Sequence, residues 1–263
     1  MNKHLTTIFI LMLCMLHTMY AQDTIRIMTL NIDHGSEASL QTIGTIIKSY
    51  NPDLIALQEV DIYPAREYVA HQKGKNFIAE LSYYSDMQGV FGKALDHPGR
   101  WDYGDAILSK HSFSKSESII LKNIKDTEPR QLVVMHTCIK GHDICFASTH
   151  LCNISKENRS AQLRQIKKFM QKQKEKIQFV CGDLNSDTKE NIVLPIMKHW
   201  RDALPAEENT FTSNPTWHYK ELKLDYILYN YQKNKNIEVS YSTNECNELL
   251  TDHCIGIADI IIH

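Results

Sequence analysis

Polar side chains lie at or just after the ends of apolar segments at widely separated points in the sequence. Asn31 ends the first apolar segment, Glu59 lies near the end of the second, and His150 follows a later one. Asp183 and Asn185 follow a further apolar segment. A rigid scaffold often places catalytic and binding groups at such positions. We therefore expect these side chains to share one site.

Two acidic residues and a histidine nearer the C-terminus extend the pattern. Asp225 lies inside an apolar segment, and Asp252 and His253 directly precede the last one. A buried carboxylate is costly unless it is paired or hydrogen-bonded. Taken singly, each of these residues could be a turn former, a solvated strand end or a satisfied histidine. Taken together, they favour a single shared site, because seven such coincidences are much less probable than any one of them.

The segments that carry these residues alternate between strand and helix patterns. We predict strands at 24–32, 53–60, 83–90, 106–109, 118–121, 131–138, 143–150, 177–181, 224–229, 237–241 and 254–262, and helices at 37–49, 68–82, 157–172 and 189–199. Mixed strands with helices between them predict a layered α/β fold. No repeat or Pro/Gly-rich linker interrupts residues 22–263, which we expect to form a single domain.

Short motifs along the chain resemble, in order, those of the endonuclease/exonuclease/phosphatase superfamily, which includes DNase I. They are Thr29–Ile32, Leu57–Asp61, Tyr103–Lys110, Ser148–Leu151, Gly182–Ser186, Leu224–Ile227 and Thr251–His253. The resemblance extends over residues 24–262. It implies a four-layer α/β/β/α sandwich, in which two mixed β-sheets pack face to face with helices on both outer sides. It also implies hydrolysis of a phosphodiester or phosphomonoester.

The resemblance assigns roles to the polar residues. Glu59 is expected to be the principal ligand of Mg²⁺, for which Mn²⁺ could substitute, with Asn31 beside it. Asp252 would contribute to the metal site directly or through water. Asp183 and Asn185 match the motif that orients the attacking water and binds the phosphate.

Two histidines are expected to act on the phosphate. His253 resembles the histidine that contacts the scissile phosphate and transfers protons, and Asp225 would hold its imidazole in one tautomer. His150 would protonate the leaving oxygen or bind charge in the transition state. Arg130 is expected to support the site, with a surface salt bridge as its alternative. Tyr103 would shape the pocket.

Residues 91–103 resemble a segment of exported bacterial members of the superfamily. We predict a loop near the pocket, from which Arg100 and Trp101 could contact the substrate. The alternative for Trp101 is a surface aromatic side chain packed on its own loop.

The first 21 residues have the features of a secretory signal peptide. Lys3 and His4 precede a short apolar run that closes before Ala21. The run is shorter than the roughly 20 apolar residues that a membrane span needs. We therefore expect export, to the periplasm or the exterior, after cleavage near Ala21.

The net charge of −2 argues against a dedicated binder of duplex DNA.

Export would expose the remaining cysteines to oxidising conditions. Cys138 and Cys145 flank a predicted turn and could form a disulfide, or the cysteines could serve as small buried hydrophobic residues. The sequence has no C-x-x-C motif, and His150 with Cys152 offers too few ligands, so the pattern argues against a structural zinc site.

The substrate stays open at this level: nucleic acid, a phospholipid head group or a small phosphate ester. The sequence does not distinguish a nuclease from a sphingomyelinase-like phospholipase C. A nuclease would need basic residues that follow the nucleic-acid strand, and the Lys-rich residues 167–176 could equally be a solvated helix face. The alternative from another class is a catalytically inactive binding module on the same scaffold. The sequence implies no stable protein partner, and we expect a monomer.

Overall fold

The computed structural model describes residues 23–97, 101–212 and 222–263. The predicted signal peptide, residues 1–21, and the predicted substrate contact Arg100 lie outside the described residues. Two six-stranded β-sheets form the centre of the molecule. The first sheet, in the order β11-β12-β1-β2-β4-β3, contains β1 (Asp23–Asn31), β2 (Leu54–Ile62), β3 (Gln88–His97), β4 (Trp101–Ser109), β11 (Ile237–Glu245) and β12 (Ile255–Ile262).

The second sheet has the same mixed character. In the order β5-β6-β7-β8-β10-β9, it contains β5 (Phe113–Ile120), β6 (Gln131–Ile139), β7 (His142–Thr149), β8 (Ile177–Asp183), β9 (Trp200–Asp202) and β10 (Asp225–Asn230). One neighbouring pair in each sheet is parallel, β1–β2 in the first and β7–β8 in the second. The other pairs are antiparallel.

Helices cover the outer face of each sheet. The helices α1 (Leu40–Tyr50) and α2 (Phe77–Ser85) pack on the first sheet, and α3 (Lys156–Gln171) and α4 (Val193–Ile196) pack on the second. This arrangement confirms the four-layer α/β/β/α sandwich. Within the described residues, no helix combines the length and apolar character that a membrane crossing requires.

The local sequence explains where α1 lies. Ser39 Oγ accepts a hydrogen bond from the N–H of Thr42, which satisfies one of the free donors at the start of the helix. Leu40, Ile43 and Ile47 are fully buried and lie at helical spacing on the face toward the first sheet.

The core between the sheets is built from alternate residues of facing strands. Ile25 and Ile27 of β1 pack in one cluster with Phe146 of β7 and Phe179 of β8, and all four are fully buried. The rings of Phe146 and Phe179 are 6.4 Å apart between centroids. Complete burial of such a side chain contributes roughly 1.5–3 kcal/mol, so this layer holds the two sheets in a fixed relation.

The segment 91–103 is mainly strand, and the predicted loop is wrong. β3 continues to His97 and β4 begins at Trp101, and the pairing between them includes Leu95 with Tyr103. Turn-forming residues in this segment interrupt the alternation of side chains by which a strand is predicted. The strands form nevertheless, since pairing with a neighbouring backbone does not require regular alternation.

Two predicted helices are broken. The helix predicted at 68–82 is divided into a 3-10 helix at Glu67–Gln72 and the later α2. The helix predicted at 189–199 is reduced to a 3-10 helix at Thr188–Glu190 and the short α4. Asn191 has a φ of 49°, which prevents a continuous helix between them. The three-residue strand β9 was not predicted.

The disulfide joins Cys246 to Cys254, not the pair considered from the sequence. The strand register places Cys145 opposite His136, two positions along from Cys138, so those two thiols do not meet. Cys138 is exposed, and the other free cysteines of the described residues are buried, as the alternative interpretation expected.

Candidate active site

Most of the polar residues singled out in the sequence lie at one edge of the two sheets. Asn31 is the last residue of β1, and Asp183 is the last residue of β8. Asp225 begins β10 and pairs with Asp183 in the antiparallel register. His150 directly follows β7, and His253 lies just before β12. Strand ends from both sheets therefore deliver these side chains to one place.

Glu59 reaches this edge through an irregularity in β2. Leu57 and Val60 pair with Ala106 and Gly104 of β4, so two residues of β2 stand opposite one residue of β4. Glu59 has a φ of 60° at this bulge. Such a φ costs a non-glycine residue roughly 1–2 kcal/mol. Bulges commonly redirect a side chain next to a functional site, and here the bulge turns the carboxylate toward Asn31.

Asn31 contacts three of the other site residues. Its Nδ2 donates to Glu59 Oε1 at 3.1 Å and to Asp183 Oδ2 at 3.3 Å. The same Nδ2 lies 3.5 Å from His253 Nε2. The carbonyl oxygen of Asn31 accepts a hydrogen bond from the Thr251 hydroxyl at 2.9 Å, which ties the segment before β12 to the end of β1.

His253 is oriented by a buried carboxylate. Its Nδ1–H donates to Asp225 Oδ2 at 2.8 Å, and Asp225 is fully buried. Nε2 is thereby directed toward Asp183 Oδ2, 3.7 Å away. Burial by itself lowers the pKa of His253, but the charge and hydrogen bond of Asp225, with Asp183, raise it to about 10. His253 is therefore positively charged at neutral pH.

His150 has the opposite electrostatic character. Arg130 Nη1 lies 3.1 Å from His150 Nδ1 and can only donate, so this ring nitrogen accepts. The proton of the neutral ring is then on Nε2, 3.3 Å from Asp183 Oδ2. The side-chain amide of Asn185 lies 2.8 Å from the same nitrogen. Burial and the nearby Arg130 charge hold the pKa of His150 well below its usual range. His150 is a neutral donor.

His34 is a site residue that our sequence analysis missed. Its Nε2 lies 2.8 Å from Glu59 Oε2, and its Nδ1 lies 3.3 Å from Asp61 Oδ2. Arg66 in turn donates two hydrogen bonds to Asp61, at 2.6 and 3.1 Å. Burial lowers the pKa of His34, but Glu59 and Asp61 raise it to about 9. The Asp33-His34 pair directly after the first strand motif was the available signal.

The donor set at the base of the site fits a divalent cation. Asp33, His34 and Glu59 offer ligand atoms that lie within 4.8 Å of one another. Burial and the charge of Glu59 raise the pKa of Asp33 to about 6. Burial also raises the pKa of Asp252, which the Glu59 charge reinforces and His253 opposes. These partly buried carboxylates repel one another, and a hard cation with oxygen ligands would relieve that repulsion.

The site opens into a cleft of about 530 Å³. Its lining includes the apolar residues Phe211, Leu222 and Leu224 and the acidic residue Glu128. Tyr103 lines the cleft as predicted, but it is only 4% exposed and its hydroxyl accepts a hydrogen bond from Arg130.

Arg130 and Trp101, which the sequence suggested as site or substrate contacts, both pack against other side chains of the protein. Arg130 is paired with Glu128 at 3.2 Å, yet its side chain is only 5% exposed and it also contacts His150 and Tyr103. It is therefore more than a surface salt bridge. Trp101 packs on Arg66, with 5.3 Å between the guanidinium carbon and the ring centroid.

Asp225→Asn is expected to lower kcat by about 10²–10⁴-fold while leaving KM within a few-fold. The amide can present a donor to His253 Nδ1, which would favour the wrong tautomer and remove the compensating charge. Steady-state kinetics on wild type and variant, with thermal unfolding of both, would test this. A variant that retains full kcat would show that Asp225 does not orient the imidazole.

The Cys246–Cys254 disulfide is expected to hold Asp252 and His253 in place, because these residues lie within the loop that it closes. The Cys246→Ser/Cys254→Ser double variant should lose about 2–3 kcal/mol of unfolding free energy. We expect kcat to fall by roughly 10–100-fold, since small displacements of reacting groups are costly. Reductant should slow wild type but leave the double variant unchanged. Equal kcat values would exclude this positioning role.

Comparison with known proteins finds one matching sequence family and several structures with the same fold. The sequence model described as the Endonuclease/Exonuclease/phosphatase family matches residues 28–244. A search of curated proteins finds no match.

Several solved structures share the fold. An endonuclease/exonuclease/phosphatase from Beutenbergia cavernae has a TM-score of 0.72 and 19% identity over 92% of this chain and 72% of its own. The mannosyl-6-phosphatase Bt3783 of Bacteroides thetaiotaomicron has a TM-score of 0.67 and 14% identity, covering 90% of this chain and 100% of its own. Truncated Caenorhabditis elegans TDP2 has a TM-score of 0.64 and 19% identity, covering 90% and 98%. At these identities the likeness shows the fold alone.

Proposed function

Since the chain belongs to the endonuclease/exonuclease/phosphatase family, we propose that it is an exported, Mg²⁺-dependent hydrolase of phosphate esters. The observation that carries this proposal is the contact of Asn31 with Glu59, Asp183 and His253, which come from distant parts of the sequence. A binding module would not need a charged histidine, a neutral histidine and a buried carboxylate around one point.

The carboxylates of Glu59, Asp33 and Asp252, with Asn31 beside them, would hold the metal. Mg²⁺ at this position would neutralise charge on the non-bridging phosphate oxygens. His34 pairs with Glu59 Oε2 and leaves Oε1 facing Asn31. The Arg66–Asp61–His34 chain thus fixes the orientation of the principal ligand.

Asp183 is the group best placed to accept a proton from the attacking water. Its Oδ1 accepts the backbone N–H of Asn185 at 2.8 Å, while Oδ2 faces Asn31 and both histidines. Burial raises the pKa of Asp183, which makes it a stronger base than an exposed aspartate.

The two histidines would have different roles, because one is positively charged and the other is neutral. The positive charge of His253 would stabilise negative charge that builds up on the phosphate oxygens. The Nε2–H of neutral His150 would donate a hydrogen bond without adding charge. Of the two roles considered for His150, this favours binding of transition-state charge.

Export is supported by the Cys246–Cys254 disulfide, since such bonds persist in oxidising compartments. N-terminal sequencing of the protein from a periplasmic or medium fraction should begin just after Ala21. Full-length protein confined to the cytosolic fraction would contradict export without affecting the proposed chemistry.

Hydrolysis is tested with a panel of substrates in Mg²⁺, in Mn²⁺ and in EDTA. The panel should contain bis-p-nitrophenyl phosphate, p-nitrophenyl phosphate, hexose phosphates, plasmid DNA and sphingomyelin vesicles. We expect metal-dependent turnover of at least one class by wild type and none by Asp183→Asn. Phosphate binding without turnover of any substrate would favour the binding module.

A further inference from the structure

A second cluster of metal-ligand side chains lies on the outer face of the second sheet, beyond the end of α3. His136 of β6 and Cys145 of β7 are directly paired across the strands, and Glu175 follows α3. One ligand atom from each of these residues lies within 4.8 Å of the others. Glu117 Oε1 of β5 lies 3.5 Å from His136 Nε2, the ring nitrogen that does not face Glu175.

Two buried atoms in this cluster lack a hydrogen bond. His136 Nδ1 contacts Glu175 Oε1 at 2.9 Å, but His136 Nε2 and Glu175 Oε2 are buried and have no hydrogen-bond partner. His136 is only 8% exposed. Buried polar atoms are nearly always satisfied, so two unsatisfied atoms on adjacent side chains point to a missing partner.

The charge at the cluster favours a cation. Burial raises the pKa of the Cys145 thiol, and the negative charges of Glu175 and Glu117 raise it further. Lys115 pairs with Glu117 at 2.7 Å, but its side chain is 59% exposed and can turn away into solvent. Glu117 and Glu175 are themselves only partly buried, so their carboxylates can adjust.

We propose that His136, Cys145 and Glu175 bind one zinc ion, with water as the fourth ligand. One nitrogen, one sulfur and carboxylate oxygens suit Zn²⁺, whereas Mg²⁺ prefers oxygen ligands alone. Zinc bonds of about 2.0–2.3 Å place ligand atoms roughly 3.3–3.8 Å apart, so the present cluster needs only a small closure. Binding converts the Cys145 thiol to a thiolate, and its proton is released to solvent.

This site is separate from the proposed catalytic centre and does not depend on it. Cys145 lies near the start of β7 and His150 follows its end, about 17 Å away along the strand. The ion would join β6, β7 and the segment after α3. The absence of a C-x-x-C motif gave no warning, because the ligands come from separate elements.

Cobalt is the probe, because a cobalt–thiolate bond produces a sulfur-to-metal charge-transfer band that oxygen and nitrogen ligands cannot give. The mature protein, saturated with Mg²⁺, is titrated with Co²⁺ and then with Zn²⁺. We expect the band to saturate at one Co²⁺ per chain and to disappear when Zn²⁺ displaces it. Phosphoester hydrolysis in Mg²⁺ should stay unchanged.

Cys145→Ser should abolish the band, and Cys138→Ser, the exposed cysteine on the same hairpin, should retain it. Glu175→Gln, in the segment after α3, should weaken Co²⁺ binding at least about tenfold and serves as the test if Cys145→Ser does not fold. No band in wild type, a band that persists in Cys145→Ser, or unchanged affinity in Glu175→Gln would overturn the proposal.

Discussion

His253→Ala is expected to reduce kcat for phosphoester hydrolysis by at least about 10³-fold. The variant loses a charged donor whose Nε2 lies 3.7 Å from Asp183 and 3.5 Å from the Asn31 amide. It also leaves Asp225 buried without its histidine, so part of the loss could come from a change in folding. Circular dichroism and thermal unfolding should therefore accompany the kinetics.

A matched control is available elsewhere in the chain. His111 Nε2 contacts Asp53 Oδ1 at 2.7 Å in another histidine–aspartate pair, which lies outside the cleft. His111→Ala should leave kcat within about twofold, as most surface substitutions change little. If the His253 variant is folded and keeps more than a tenth of wild-type kcat, the proposed role of this imidazole is wrong.

Glu59→Gln is expected to weaken the binding of the metal that hydrolysis requires. The substitution keeps the shape of the side chain but removes the charge that faces Asn31 and His34. We expect the Mg²⁺ concentration for half-maximal rate to rise more than about tenfold and kcat at saturating Mg²⁺ to fall about 10²–10³-fold. Activity of wild type should vanish in EDTA and return with Mg²⁺ or Mn²⁺.

Glu128→Gln is the matched control for Glu59, because Glu128 is an acid in the same cleft whose side chain is 43% exposed. Its Mg²⁺ dependence should match that of wild type within about twofold. Equal Mg²⁺ dependence in all three proteins would mean that Glu59 is not a ligand. Full activity of wild type in EDTA would remove the metal from the proposal altogether.

The fold followed from local patterns for most of the chain. The alternation of strand and helix predicted a layered α/β fold, and the family resemblance implied the four-layer sandwich, which the two sheets and their outer helices confirm. Prediction failed where the local pattern is weak or interrupted. Examples are the pairing of β3 with β4, the broken helix around Asn191 and the short strand β9.

The sequence predicted most of the residues that form the site, but not which of them contact one another. Asn31, Asp183 and His253 stood out because polar residues interrupt or end apolar strands. Their contacts, and the inclusion of His34, depend on pairings between distant residues. Nothing local in the sequence specifies which carboxylate faces which histidine, or that Arg130 keeps His150 neutral.

The amino-acid order alone determined the succession of strands and helices and the residue types at their ends, because hydrophobic periodicity is a property of neighbouring residues. Only the tertiary structure decided the bulge that turns Glu59 inward, the bond between Cys246 and Cys254, and the meeting of His136 with Cys145 and Glu175. These features arise from strand register and close packing between remote segments, where a shift of one residue would send each side chain to the opposite face.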